Sequence, residues 1–176
     1  LLDGCAVVDL TYFNERLKDE ITWTGTPING SNYFNQTGTS TREGIELSGR
    51  LEATDTLTLG LSYTYLDAKN PDASRELRRP RHELGIQAGL EVLEGKGHLA
   101  ADLRYVADNW DNQYYGAYAT AKLPDYWLAN ISASYDLTDA VQLTGRVTNL
   151  FDKDYTETWG YATEGRTAWV GLEAKW

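Results

Sequence analysis

The amino-acid sequence predicts an all-β fold: antiparallel, up-and-down strands that cross a membrane as part of a β-barrel. Three observations lead there. Apolar and polar residues alternate with period two along almost all of the 176 residues, the mark of strands with two unlike faces. Short connections alternate with long polar ones, the plan of an outer-membrane barrel. Aromatic residues of the apolar set gather near strand ends, where amphipathic rings favour the two lipid–water boundaries.

Eight strands follow in order. The first covers residues 6–13 and continues toward Trp23; the second covers 42–51, with Ile45, Leu47 and Leu51 on one side. In the third, Leu57, Leu59, Leu61, Tyr63 and Tyr65 alternate with Thr58, Gly60, Ser62 and Thr64. The fourth sets Leu84, Ile86, Ala88, Leu90 and Val92 against Glu83, Gly85, Gln87, Gly89 and Glu91. The fifth sets Leu99, Ala101, Leu103 and Tyr105 against His98, Ala100, Asp102 and Arg104. Trp127, Ala129, Ile131, Ala133, Tyr135 and Leu137 form the apolar side of the sixth. Val141, Leu143, Gly145 and Val147 do so in the seventh, and Val170, Leu172, Ala174 and Trp176 in the eighth. Tight turns fall at 53–56, 94–97 and 138–140, and long loops at 25–35, 67–80, 109–124 and 153–164. The result is one unit over residues 1–176, with tandem hairpins as its only repeat.

Composition narrows the function classes. The longest unbroken apolar run is four residues, at 5–8 and 126–129, against about 20 for a spanning helix. With 26 acidic and 16 basic side chains the formal charge is −10, which argues against a nucleic-acid surface. The single cysteine, Cys5, has no internal disulfide partner; it reads as a small strand-start residue or a free thiol open to crosslinking. His82 and His98 sit at opposite ends of adjacent strands, roughly 33 Å apart for ten residues, so they share neither a metal nor a triad. Asp108-Asn109 and Asp111-Asn112 match no calcium-loop spacing. No catalytic residue, cofactor or metal is expected. The polar-set charges Glu46, Glu91, Asp102 and Glu173 with Arg50, Arg104 and Arg146 read as a network that keeps an interior wet. A soluble barrel or sandwich would instead turn the apolar set inward.

A run of residues near the C-terminus resembles a known family. Asn149-Leu150-Phe151-Asp152-Lys153-Asp154-Tyr155, then Gly160-Tyr161, then Gly165-Arg166 and a last strand ending in Trp176 resemble TonB-dependent outer-membrane receptors. Glu43-Gly44-Ile45-Glu46 and the turn-like Leu2-Asp3-Gly4 are similar to that family too, so the likeness covers essentially the whole chain. The 149–155 block with Gly160-Tyr161 is most similar to vitamin B12 (cobalamin) receptors, with siderophore receptors close behind. The resemblance implies a bacterial outer-membrane barrel of about 22 strands, with an N-terminal plug and a short box that engages TonB. No plug, TonB box or signal peptide is read in these residues. The expectation is therefore four hairpins, the last eight strands of such a barrel, helping to take up cobalamin or a ferric siderophore. Its partners would be the remaining strands and plug, outer-membrane lipid and lipopolysaccharide, the barrel-assembly machinery, and TonB only through the parent's N-terminus. The alternative is a free-standing eight-stranded barrel, an anchor or small pore, whose first and last strands must pair.

Four groups carry the candidate binding chemistry. Gly171, Leu172, Ala174 and Trp176 resemble the terminal signal read by the barrel-assembly machinery, and equally serve as a closing strand with a belt tryptophan. Arg75, Arg78, Arg79 and Arg81 are the densest basic cluster; they hold phosphates of lipopolysaccharide or an anionic ligand by bidentate bonds, or pair with Glu76 and Glu83. Trp110, Tyr114, Tyr115 and Tyr118, beside Asp108 and Asp111, offer stacking surfaces for a large planar ligand, or pack on one another. Trp159, Tyr161 and Arg166 stand on the last long loop and line the same mouth.

Overall fold

Alternation becomes strand in each of the eight segments that carry it. The computed structural model describes residues 5–26, 30–114 and 119–176, without the side chains of 23–26 and 30–32. The strands are β1 (Ala6–Lys18), β2 (Ile21–Thr26), β3 (Gly30–Asn35), β4 (Thr39–Glu52), β5 (Leu57–Lys69) and β6 (His82–Val92). They continue with β7 (Gly97–Ala107), β8 (Trp110–Asn112), β9 (Thr120–Lys122), β10 (Tyr126–Thr138), β11 (Val141–Thr148) and β12 (Thr167–Ala174). Eight of them form one antiparallel sheet in the order β1-β4-β5-β6-β7-β10-β11-β12, and β2–β3 and β8–β9 are separate small hairpins.

The register gathers the apolar set on a single face. Val8, Gly49, Leu61, Ile86, Leu103 and Ala129 form one cross-strand row. Leu10, Leu47, Tyr63, Leu84, Tyr105 and Trp127 form the next toward the long loops. No second layer covers this face among the described residues: Leu59 is 37% exposed, and Ile86 and Ile131 are each 41% exposed. A water-soluble sandwich would bury these side chains between two sheets. Tyr105 stacks on Trp127 with ring centroids 4.4 Å apart, and the Tyr63 hydroxyl lies 2.9 Å from His82 Nδ1, so neighbouring rings of the belt at the long-loop end are in contact. The opposite face bounds a trough of about 1190 Å³, whose lining includes Ser48, Thr58, Gly60, Gly85, Gln87 and Asp102. Among the described residues the buried apolar side chains are few, including Val106, Leu123 and Tyr126 at the long-loop end. The fold is a wall that needs lipid on one side and water on the other.

Several expectations change. The first strand does not run on toward Trp23: Asp19 takes a left-handed φ of 55° and the chain turns into β2. The 25–35 loop is largely strand, since Ile21 to Thr26 pair with Asn35 to Gly30; its polar residues hide the alternation. The last strand stops at Ala174, leaving Trp176 beyond it. The charges of the polar face do not join into one network: Arg104 meets Glu83 and Glu157, Arg50 meets Glu52, Asp102 accepts from Asn130, and Arg146 lies over Trp169 at 4.6 Å. A closed eight-stranded barrel is not formed either, because β1 and β12 are the two edges of the sheet.

Candidate functional site

The long loops join into one rim above the sheet, and carboxylates hold it together. Residues 70–81, between β5 and β6, fold toward the β8–β9 hairpin. There Arg75 Nη1 donates to Asp108 Oδ2 at 2.7 Å and its guanidinium lies over the Trp110 ring at 5.5 Å. Trp110 Nε1 donates to the other oxygen of the same carboxylate at 2.8 Å. Arg81 reaches Asp67 at 2.9 Å and Asp108 at 3.5 Å. Arg79 meets Glu76 at 3.4 Å, and Glu76 also receives Arg42 at 3.1 Å. The four arginines therefore face carboxylates of the chain itself, from Asp67, Glu76, Asp108 and Asp111, with Glu83 engaged by Arg104 instead.

Asp111 is the centre of the rim. It is fully buried, and an isolated carboxylate there would be very costly. Three donors from three segments satisfy it: Arg78 Nε at 3.0 Å, the backbone N–H of Asn112 at 2.8 Å and that of Trp159 at 2.9 Å. This one side chain ties the 70–81 loop, the β8–β9 hairpin and the last long loop together. Arg78 also donates to the Tyr114 hydroxyl at 2.7 Å and lies 5.5 Å over its ring. The Asp111 hydrogen bond holds the Arg78 guanidinium above its ordinary pKa, with Tyr114 and Tyr161 close enough to add to the effect. At Asp108, burial pushes the carboxyl up, but hydrogen bonds from Arg75 and Trp110 and the charge of Arg81 outweigh it and hold it below 3.8.

The last loop is built by the residues that carried the family resemblance. Asn149, in a left-handed conformation with φ 48°, is buried. Its amide donates to the carbonyls of Lys153 and Glu164, while its side-chain oxygen accepts from the Lys153 N–H at 2.7 Å. Asp152 accepts from the Arg166 N–H at 2.8 Å. The motif thus clasps the two ends of the loop, a structural task. Glu157, at its centre, takes Arg104 at 2.9 Å and the Tyr126 hydroxyl at 3.0 Å, which folds the loop over the polar face.

Of the aromatic candidates, Trp110 lies against Arg75, Tyr114 against Arg78, Trp159 meets Asp111 through its backbone N–H, and Tyr161, near enough to act on Arg78, is 72% exposed. Tyr115 and Tyr118 lie outside the described residues. Arg166 stands apart at the β12 end, held through its backbone to Asp152. A cleft of about 410 Å³ opens between the 70–81 loop and the β8–β9 hairpin, lined by Arg75, Leu77, Trp110, Asn112 and Thr120 among others. What sequence reasoning missed is Asp111 as the anchor and Glu157 as the inward tether. Their partners lie 33 and 53 residues away, beyond any local pattern. Gly171, Leu172 and Ala174 lie on β12, whose outer edge is unpaired among the described residues, and Trp176 is fully exposed.

The family model described as TonB dependent receptor-like, beta-barrel, matches residues 3–150. In fold the chain is similar to the ferripyoverdine receptor of the outer membrane of Pseudomonas aeruginosa, with a TM-score of 0.78 at 18% identity over 98% of this chain and 25% of that one. It is similar to the ferric-catecholate import receptor Fiu of E. coli K12, with a TM-score of 0.74 at 22% identity over 99% of this chain and 26% of that one. The siderophore receptor PiuA from Acinetobacter baumannii gives 0.73 at 22% identity over 100% of this chain and 27% of that one. The chain spans about a quarter of the length of these receptors.

Proposed function

Because this chain belongs to the TonB-dependent receptor-like β-barrel family of the bacterial outer membrane, we propose that it forms the C-terminal part of a receptor wall and contributes to the outer mouth for a ferric siderophore. Members of the family are receptors and transporters rather than enzymes. The two unpaired sheet edges are where further strands of a larger barrel would continue the ladder. Uptake itself would need the plug and TonB of the parent protein.

The observation that carries the ligand class is the aromatic rim. Trp110 faces Arg75 and Tyr114 faces Arg78, with exposed Tyr161 nearby, and an unsaturated, anionic iron chelate is the ligand such a rim suits. The cleft of about 410 Å³ has room for one arm of a chelate, so the rest would lie against neighbouring loops. We assign Arg75, Arg78, Arg79 and Arg81 to bracing that rim, since each faces a carboxylate. Arg166, at the β12 end of the last loop, meets no acidic group through its side chain among the described residues and is open to ligand charge from that side. Gly171, Leu172, Ala174 and Trp176, on and just past an open edge strand, would serve the barrel-assembly machinery by β-augmentation.

Titrating the intact outer-membrane protein with a ferric catecholate, a ferric hydroxamate and cyanocobalamin tests this. We expect an iron chelate to bind, cyanocobalamin not to displace it, and Y114A/Y161A to weaken it by roughly tenfold, the combined scale of two lost aromatic contacts at about 0.7 kcal/mol each. Binding of cyanocobalamin alone, or of none of the three, would overturn the assignment.

A further inference from the structure

Two donors on the inner wall converge on a single oxygen. Tyr126 pairs with Val106 and Leu128 with Arg104, so Tyr126 on β10 and Arg104 on β7 stand at diagonal positions of the polar face. Arg104 Nη1 donates to Glu157 Oε1 at 2.9 Å, and the Tyr126 hydroxyl donates to the same oxygen at 3.0 Å. The acceptor lies on the last long loop, 53 residues beyond Arg104 and 31 beyond Tyr126. The sheet ladder fixes the donors, whereas a loop carries the oxygen between them.

Charge balance does not require Glu157 at this point. Glu83, on neighbouring β6, already meets Arg104 at 3.4 Å, so one guanidinium faces two carboxylates. Arg104 and Glu157 are 46% and 47% exposed, and an ion pair that open to water contributes little and exchanges readily. Tyr126 differs. It is buried, and a buried hydroxyl needs an acceptor, so some oxygen must sit where Oε1 sits.

The wall beside this point has space. A cavity of about 410 Å³ lies under the last loop, lined by Arg146, Thr148, Tyr155, Glu164 and Trp169 among others. The Tyr155 ring also packs on Tyr126, with centroids 4.9 Å apart, so the cavity adjoins the paired donors. The Thr148 hydroxyl is buried with no hydrogen-bond partner among the described residues. The Arg146 guanidinium lies over Trp169 at 4.6 Å and meets no carboxylate among them.

We propose that Arg104 and Tyr126 form an inner site for a ligand carboxylate, and that Glu157 fills it in the ligand's place. An incoming carboxylate takes over both donors, Glu157 turns to water, and the rest of the ligand lies along Tyr155 toward Arg146. Glu157 is thus a built-in competitor, which weakens apparent affinity by the fraction of time it holds the donors. The site is separate from the aromatic rim and its braced arginines. It rests on the polar face lining the lumen and not on the siderophore reading, so either can fail alone.

The probe is glutarate, which carries the carboxylate of a glutamate side chain on a short carbon chain, with pentanediol as its uncharged counterpart. Each is titrated into the intact protein in detergent and followed by saturation-transfer NMR. We expect E157A to bind glutarate about tenfold more tightly than the original protein, the gain on removing a competitor that holds the site about nine-tenths of the time. E157Q, which keeps the size of the side chain, should shift in the same direction. R104Q/E157A should lose the gain, and pentanediol should bind none of these proteins. Heat-modifiable mobility on gels confirms that each variant is folded. Equal affinity of folded E157A and the original protein for glutarate, or no binding by E157A, overturns the proposal. So does R104Q/E157A binding as tightly as E157A, or pentanediol matching glutarate.

Discussion

A fully buried carboxylate at a loop junction is a fixed commitment, and Asp111 shows what it organises. Removing it by Asp111→Ala would free the Arg78 guanidinium and leave the Trp159 and Asn112 N–H groups without their acceptor. Arg78 is 47% exposed and can turn to water, so the loss falls on the two N–H groups left unpaired, at about 1–3 kcal/mol each, enough to release the rim while the sheet below stays paired. Hydrogen exchange of the intact D111A protein should therefore show faster exchange in residues 70–81 and 153–166, with β5–β7 unchanged; uniform protection would mean the rim is held elsewhere. The sequence displayed the arginines plainly as a cluster in an acidic chain. Of their partners it displayed only the neighbouring Glu76, which meets Arg79, because ion pairing across 33 residues depends on which loops the register brings side by side. Asn149 illustrates the converse: its motif was conspicuous, but its role as a clasp between Lys153 and Glu164 appears only once the loop is closed.

Strand positions were readable because each strand has two faces in different solvents, which imposes period two on the residues. That signal lapses in the short hairpins beyond the wall: β8 and β9 have three residues each, too few for period two to show, and β8 turns the Asp111 carboxylate inward. Turn chemistry is a further element with a local logic. Leu93 and Glu94 hold left-handed φ values of 54° and 57° in the β6–β7 turn, with the Gly95 N–H donating to the Val92 carbonyl at 3.2 Å. These are the two central positions of a turn within a four-residue loop, where Asn and Gly are the residues that take φ > 0 most readily, and other side chains in this region are strained by about 1–2 kcal/mol. L93N/E94G should raise the urea midpoint of the folded protein by an amount worth about 1 kcal/mol. An unchanged or lower midpoint would show that Leu93, 64% exposed here, contributes through lipid contact instead.

Taken whole, the molecule has almost no interior of its own. Its apolar side chains form a continuous outward sheet from Val8 through Leu61 and Ile86 to Ala129, and the buried groups gather in the rim. An eight-stranded antiparallel sheet with two open edges exposes long unpaired ladders, a hazard in water that disappears when further strands extend the wall. The inside-out distribution of polarity decides between lipid and water as the medium of the apolar face. Spin labels placed singly at 84–90 along β6, with Cys5 replaced by Ser and the intact protein in bilayers, measure it directly. Oxygen accessibility should peak at Leu84, Ile86, Ala88 and Leu90, and water-soluble nickel-complex accessibility at Gly85, Gln87 and Gly89, in opposite phase. Phases reversed, or nickel access at Ile86 and Ala88 equal to that at Gln87, would contradict a lipid-facing apolar wall.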